Sequence, residues 1–500
     1  METGRFVTHD GEGREIENLA AMIEQRALLQ PAAPAMIMTE AIVSFRGMQA
    51  AVNAVAAKLL ESGLTAGTMV GISMGQTPMH LFTTLALARI GVPFVSIHPA
   101  LPVERRMIAV RRYGVTAIIS GRPDCALEGL PFVLLNQAEL RTDVRRVPYA
   151  PTAIDTPLRV ALSSGTSGDP KGVMLTHGYM RSRLALTAYG LTPKSRVLSL
   201  DLNFAPSFNY ALCTLAIGGA VVFTPTESVE HYIDTVRRFA VTDWFLSPAI
   251  AEAIAPHLVE DDVYFTTVNH LRVGGASPGV KLVDAMLHRF SPNLEVCYGL
   301  TEVGLVSVAT PDMTRRHPGT AGRILPTLKA EIVDEQDQAL PAGQSGILRL
   351  RADVMLKGYY PDDGLTTERF RDGWYYPRDL AHFNQEGLLF IDGRQDDVLN
   401  IGGTKVRFRD VETVLESHPA VREAAVFVAV DSAGREMMGL AYIPRDDTAV
   451  TSLGAYAEGK LGPLRPREYV AVEALPRTLT GKVLRDRLAS LYLEGKLGNS

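Results

Sequence analysis

Three observations predict an α/β chain with a large doubly wound N-terminal domain, a β subdomain within it and a small α+β C-terminal domain. From Val70 to Gly274, short apolar runs of strand length alternate with stretches of helical period, which implies right-handed crossovers and a parallel sheet. From Thr327 the pattern changes to short strands punctuated by turns. After Arg394 the remaining tail is too short for another doubly wound domain. At 500 residues the chain also exceeds what one hydrophobic core organises. The expected boundaries are 1–395 for the large domain, about 327–392 for the β subdomain inside it, and 396–500 for the small one.

Residues 15–30 predict an amphipathic helix, with Ile16, Leu19, Ile23 and Leu28 near helical spacing, and 50–64 a second, closed by Gly63. Then follow a buried strand at 70–74, a helix at 78–90, a strand at 91–97, a helix at 104–113 and a strand at 116–120. A Pro-rich connector spans 148–157. Further strands are expected at 197–200, 220–223, 244–247 and 271–274, each followed by a helix. The β subdomain should hold strands at 329–333, 346–350, 374–376 and 388–391. Nothing between Asp201 and Glu227 is charged, a length that could span a bilayer. Yet Asn203, Pro206, Ser207, Asn209 and Pro225 interrupt it and Gly218-Gly219 divides it, so it reads as a helix at 209–217 and a buried strand at 220–223, with no membrane span.

Hydrophobic residues at 46% and charged residues at 21% describe an ordinary globular chain, and a net charge of -5 argues against a nucleic-acid binder. Cys125, Cys213 and Cys297 lie too far apart for metal-ligand spacing and are odd in number, so a reducing, cytoplasmic setting is expected. Residues 1–10 carry no basic region followed by an apolar core, and no signal peptide is expected. A homodimer is left open.

The most informative run is 160–173, where an apolar strand gives way, within ten positions, to three glycines, four hydroxyl residues, one proline and one lysine. Glycines let backbone N–H groups approach an anion, hydroxyls add donors, and Lys171 supplies a point charge. A Gly/Ser surface turn is the plain alternative, and the Thr166-Ser167-Gly168 and Pro170-Lys171-Gly172 spacing argues against it. A Walker loop fails, because the fifth residue after Gly165 is Pro170.

Five further runs follow in order: Gly274-Gly275-Ala276-Ser277, Tyr298-Gly299-Leu300-Thr301-Glu302, Trp374-Tyr375-Tyr376-Pro377-Arg378-Asp379, the stretch 392–405, and the stretch 476–485. Four of the five also have a structural reading. Ser277 could cap a helix with Pro278 at its first position, and Thr301 could cap one with Glu302 in its first turn. Asp396-Asp397 could be a charged surface turn, and Lys482 a solvated lysine near a terminus.

Together and in this order, the six runs resemble those of the acyl-adenylate-forming superfamily, which includes acyl- and aryl-CoA ligases, stand-alone and peptide-synthetase adenylation domains, and luciferases. The resemblance implies a mobile small domain, ATP and Mg2+ as cofactors, and coenzyme A or a carrier-protein phosphopantetheine as thiol acceptor. It implies that Ser163, Ser164, Gly165, Thr166, Ser167, Gly168 and Lys171 wrap the phosphates. Tyr298 and Gly299 would pack at the nucleotide, Thr301 would reach the α-phosphate, and Glu302 and Thr166 would hold the magnesium. Gly275, Ala276 and Ser277 would line the adenine. Asp379 would accept the ribose hydroxyls, Arg394 would contact the ribose, Asp396 would be the hinge and Lys405 would reach a phosphate. Lys482 would bind the carboxylate and α-phosphate oxygens, completing a catalytic set with Thr166, Glu302 and Lys171. Pro377-Arg378 stands where the superfamily usually has Thr-Gly, which bears on the local backbone.

The implied substrate pocket comprises Phe204, Phe208, Asn209, Tyr210, Gly274 and Gly299. Phe208 and Tyr210 could equally be core aromatics. Amino-acid activators carry an aspartate in the corresponding stretch to pair the substrate amine, and none stands between Asp201 and Glu227. A buried ammonium without a partner is costly, so an uncharged aryl acid of the benzoate type, or a short acyl acid, is the expected small carboxylic acid substrate. The reaction implied is formation of an acyl-AMP and then a thioester on coenzyme A. Alternatives are transfer to an acyl carrier protein, or a non-catalytic nucleotide-binding relative.

Overall fold

A computed structural model of the protein describes residues 17–136, 140, 145–163, 171–224, 228–258, 263–361, 364–401, 404–430, 436–445, 453–477 and 483–498. It divides into two compact units. The first comprises Met1–Ser163, Lys171–Leu328 and Ala352–Phe370, and the second Ser164–Pro170, Lys329–Arg351 and Arg371–Ser500.

The first unit contains strands β1 (Pro34–Ile37), β2 (Ile42–Ser44), β3 (Met69–Ile72), β4 (Phe94–Ser96), β5 (Val115–Ser120), β6 (Phe132–Leu134), β7 (Pro157–Ser163), β8 (Lys171–Thr176), β9 (Arg196–Ser199), β10 (Ala220–Phe223), β11 (Asp243–Leu246), β12 (His270–Gly274), β13 (Leu294–Leu300), β14 (Gly304–Ala309) and β15 (Arg323–Ile324). One sheet runs β6-β5-β3-β4-β7-β8, the other β15-β14-β13-β12-β11-β9-β10-β1-β2. Neighbours from β6 to β7 and from β13 through β10 to β1 pair in parallel, as the alternating pattern requires, and antiparallel pairs close the edges.

Local chemistry sets the helices. Helix α1 spans Ala21–Leu29, and α2, Phe45–Glu61, begins five residues before the expected start because the Ser44 hydroxyl accepts the Gly47 N–H. Helix α3, Pro78–Ile90, is capped by Thr77, has Pro78 in its first turn, and ends at Gly91 with φ 70°. Helix α4 spans Val103–Tyr113 and α5 His177–Thr187. Helix α6, Ala205–Ile217, starts earlier than residue 209 because Pro206 sits in its first turn, where a missing N–H is not needed. It ends at Gly218, φ 97°, before β10. Among the described residues no helix is long and apolar enough to cross a membrane.

Several apolar clusters organise the described residues of this unit. Met36, Val55, Leu85, Phe94, Leu184 and Phe208 belong to one, and Val222, Trp244, Phe265, Leu271 and Phe290 to another. Trp244 meets Phe265 edge-on at 5.6 Å.

The second unit holds strands Leu328–Val333, Gly346–Ala352, Trp374–Tyr375, Asp379–Phe383 and Leu389–Arg394, the last four joined by antiparallel pairs. A three-stranded sheet of Val421–Val430, Glu436–Pro444 and Glu468–Ala471 follows, with helices Phe408–Glu416 and Arg485–Leu493. Glu412, 3% exposed, accepts the Val426 N–H at 2.8 Å and is paired with Arg485.

Candidate active site

The 160–173 run leaves β7 and returns in β8, whose antiparallel pairing sets Ser163 opposite Lys171. Gly172 is required there: a Cβ would come within 2.6 Å of the Tyr360 carbonyl, whose own N–H donates to Gly172 O at 2.8 Å. Ser164, Gly165, Thr166, Ser167 and Gly168 lie outside the described residues.

Tyr298 and Gly299 lie in β13, which turns back into β14 as a hairpin, so Thr301 and Glu302 occupy a hairpin turn and not the start of a helix. The turn carbonyls find partners in side chains of α5 and in the Leu356 N–H, which donates to Glu302 O at 3.3 Å. Arg183 on α5 donates to Thr301 O at 2.6 Å and Leu300 O at 3.3 Å, and to the Tyr179 hydroxyl at 3.2 Å. Tyr179 donates in turn to Glu302 O at 3.3 Å. The Glu302 side chain, on a residue 5% exposed, accepts the Tyr359 hydroxyl on Oε1 at 2.8 Å. Lys171 Nζ stands 5.9 Å from the centre of the same Tyr359 ring. The 160–173 and 298–302 runs therefore meet through Tyr359. Neither it nor Arg183 was expected from the sequence. The only local signal is the Tyr179/Arg183 spacing on one helix face.

A carboxylate fixed at one oxygen is a hard donor suited to magnesium, which takes few protein ligands and the rest from substrate phosphates and water. Among the described residues no group of three or more His, Cys, Asp or Glu could hold a metal by itself.

The glycine motif ends β12. A Cβ on Gly274 would lie 2.6 Å from Cys297 O and 3.3 Å from Phe245, and Gly275, φ 88°, faces Phe204. Phe204 and Phe245 are 6.3 Å apart, and Tyr210 lies 6.1 Å from Phe245. Asn209 is buried on the same helix. Phe208 belongs to the first core, with the Arg159 guanidinium 3.9 Å from its ring, and is not brought to the glycines. Ala276 and Ser277 lie in the segment after β12. Ser277 caps no helix, since the next one, Val280–Ala285, has Gly279 at its N-cap.

The face of β12 behind Gly274 is ionic. Arg272 Nε donates to Glu295 Oε2 at 2.7 Å and its Nη2 to Tyr189 O at 2.8 Å. Burial opposes ionisation of Glu295, but its bonds to His270 and Arg272 hold its carboxyl below the usual range. The hydrogen bond to Glu295 raises His270.

In the second unit, Asp379 pairs with Arg394 at 2.9 Å across two adjacent strands, and Arg394 also donates to Pro377 O at 3.1 Å. Arg378 adopts φ 65°, the left-handed conformation a glycine would take freely. Its guanidinium pairs with Asp396 at 2.9 Å. The departure at Pro377-Arg378 thus keeps a glycine-like backbone and joins the expected hinge residue. Lys405 lies in strand Thr404–Arg407, opposite Asn400. Lys482 lies outside the described residues, but its flanks are pinned: Arg477 bridges to Val483, and Leu484 N–H donates to Pro476 O at 2.8 Å.

Residues 23–360 match the AMP-binding enzyme family, and residues 410–482 match the AMP-binding enzyme C-terminal domain. The chain belongs to the AMP-binding enzyme family. Among the curated relatives of this family member is a linear gramicidin synthase of Brevibacillus parabrevis, 27% identical over 94% of this chain but only 6% of that far longer protein. Indoleacetate–CoA ligase of Aromatoleum aromaticum is 25% identical over 95% of this chain and 98% of its own length. Among solved structures, o-succinylbenzoate CoA synthetase of Bacillus subtilis with its acyl-adenylate intermediate shares the fold with a TM-score of 0.84, at 22% identity over 93% of this chain and 97% of its own.

Proposed function

We propose that the protein is an ATP-dependent acid–thiol ligase that converts an uncharged aryl or short acyl carboxylic acid into an acyl-AMP and then into a thioester of coenzyme A. The observation that carries this reading is the buried Glu302, its Oε1 held by Tyr359 and its turn held by Arg183, beside Lys171 at the base of the glycine–serine loop. Kinship with indoleacetate–CoA ligase along nearly the whole of both chains supports it.

In the first step a carboxylate oxygen attacks the α-phosphorus of ATP and pyrophosphate leaves. Lys171, with Ser163, Ser164, Thr166 and Ser167, would take up the leaving group's charge, and Lys482 the charge developing at the α-phosphate. A magnesium ion held by Glu302 and Thr166 would neutralise phosphate charge. In the second step the thiol sulfur attacks the acyl carbon and AMP leaves. By family resemblance the small domain turns about Asp396 between the two steps. Glu295 on the β12–β13 face is already paired with Arg272, which is unfavourable for an α-amino acid. The three buried free cysteines accord with a reducing, cytoplasmic setting, for one copy or a homodimer.

A second acceptor, a carrier-protein phosphopantetheine, is favoured by kinship with a fatty acid–acyl-carrier-protein ligase of Streptomyces coeruleorubidus, 25% identical over 96% of this chain and 97% of its own length. The deciding experiment measures pyrophosphate release across aryl, alkyl and amino acids, then acyl transfer to coenzyme A beside a phosphopantetheinyl carrier. Acid-dependent release with transfer to coenzyme A is expected. Release with transfer to the carrier alone favours the second acceptor. No release with any acid overturns the enzymatic reading in favour of a non-catalytic relative.

A further inference from the structure

The interior behind Gly274 carries hydrogen-bonding capacity that the reaction chemistry does not use. Successive side chains of a strand alternate between faces, so His270, Arg272 and Gly274 share one face of β12. The parallel register sets Phe245 on β11 and Glu295 on β13 beside Arg272, and Cys297 beside Gly274. Moving inward from Gly274, the next layer on this face is therefore Phe245, Arg272 and Glu295. Two residues of strand separate the layers, about 7 Å, close to the length of one six-membered ring.

Tyr210 on α6 closes this layer from the helix side. Its ring lies 6.1 Å from Phe245 and 5.2 Å from the Arg272 guanidinium. The residue is 6% exposed, and its hydroxyl has no hydrogen-bond partner among the described residues. Arg272 spends Nε on Glu295 and Nη2 on Tyr189 O, and no hydrogen bond joins its Nη1 to a described residue. A buried donor left unpaired costs about 1–3 kcal/mol, so the Tyr210 hydroxyl marks a place where an acceptor belongs. Arg272 is already neutralised by Glu295, so a neutral oxygen suits the place better than a second carboxylate.

We propose that Tyr210, with Arg272 beside it, is a specificity determinant that selects aromatic acids bearing an oxygen substituent on the ring, at the position three or four bonds round from the carboxyl carbon. The proposal rests on the acid-activating reading above and narrows its substrate class. The carboxylate lies toward Gly275 and the nucleotide, the ring lies over Gly274, and the ring oxygen receives the Tyr210 hydroxyl.

The test compares acid-dependent pyrophosphate release for benzoate, 3-hydroxybenzoate and 4-hydroxybenzoate, in the wild type and in Tyr210→Phe. In the wild type, kcat/KM for at least one hydroxybenzoate should exceed that for benzoate by about tenfold. In Tyr210→Phe that ratio should fall to about one, and because it is a ratio it cancels any general loss of active protein. A wild-type ratio near one overturns the proposal without any variant, and so does a ratio that Tyr210→Phe leaves unchanged. If these three acids are inert while an alkyl or amino acid supports release, the proposal falls and acid activation stands. If no acid supports release, acid activation itself falls.

Discussion

Tyr359 decides which oxygen of Glu302 is occupied, because its hydroxyl donates to Oε1 inside the protein while Arg183 fixes the peptide groups on the N-terminal side of that carboxylate. A hydrogen bond to a charged group is worth about 1.5–3 kcal/mol, and one of 1.4 kcal/mol corresponds to a factor of ten. Tyr359→Phe should therefore raise the magnesium concentration for half-maximal pyrophosphate release by about tenfold or more, with direct Mn2+ titration by electron spin resonance as an activity-independent check. A magnesium requirement equal to the wild type's would remove Tyr359 from the site. Two buried histidines set the acid limit of the first unit. His177 accepts the Leu19 N–H on Nδ1 at 3.0 Å, so it must be neutral, and burial pushes both it and His80 down to about 4. The unfolded chain then binds more protons than the folded one between about pH 6.5 and pH 4. Stability is unaffected above that window and falls as pH drops through it, by up to about 1.4 kcal/mol per pH unit for each group. His270 acts in the opposite sense, its contribution being present below about pH 6.5 and lost as pH rises through its raised value. Urea midpoints at pH 7 and pH 5 should differ less in His80→Leu than in the wild type; an equal difference would mean His80 does not titrate in this range.

At the scale of elements, glycines mark where strands and turns approach too closely for a side chain. Gly322, φ 87°, precedes β15, and a Cβ there would come within 2.1 Å of the Val308 and Ala309 backbone. Backbone cannot yield as a flexible side chain does, so Gly322→Ala should cost roughly 3 kcal/mol or more, read from urea unfolding. Gly343 has a similar φ, 88°, and nothing within 4 Å of a Cβ. Gly343→Ala should cost only about 1 kcal/mol, the conformational part alone. Equal losses at both sites would show that close approach is not what matters at Gly322. The hairpin of β13 and β14 teaches a similar lesson. Its Tyr298-Gly299 run reads locally as the end of a strand, but whether a helix or a second strand follows depends on pairing with residues 304–309. Sequence periodicity does not carry that choice.

At the scale of the whole molecule, each unit encloses its own apolar clusters, and the proposed reaction divides between two half-reactions. Lys482→Ala should abolish acyl-AMP formation, measured as pyrophosphate release, while sparing thioester formation from a supplied acyl-adenylate; equal loss of both would contradict the hinged account. The alternating α/β architecture was legible in the sequence alone, as were the runs proposed to handle the nucleotide. Phosphate chemistry needs glycine N–H groups, hydroxyls and a lysine within a few consecutive residues, and such a demand is written locally. It also carried the replacement of Thr-Gly by Pro377-Arg378, though not that Arg378 would hold φ 65° and pair with Asp396. Only the tertiary structure decided that Tyr359 meets Glu302 across 57 positions, that Arg183 reaches Thr301 across 118, and that Phe208 turns into the core while Tyr210 stands beside Arg272. These contacts are fixed by strand register and helix packing between distant segments, so no short stretch of chain contains the information that sets them.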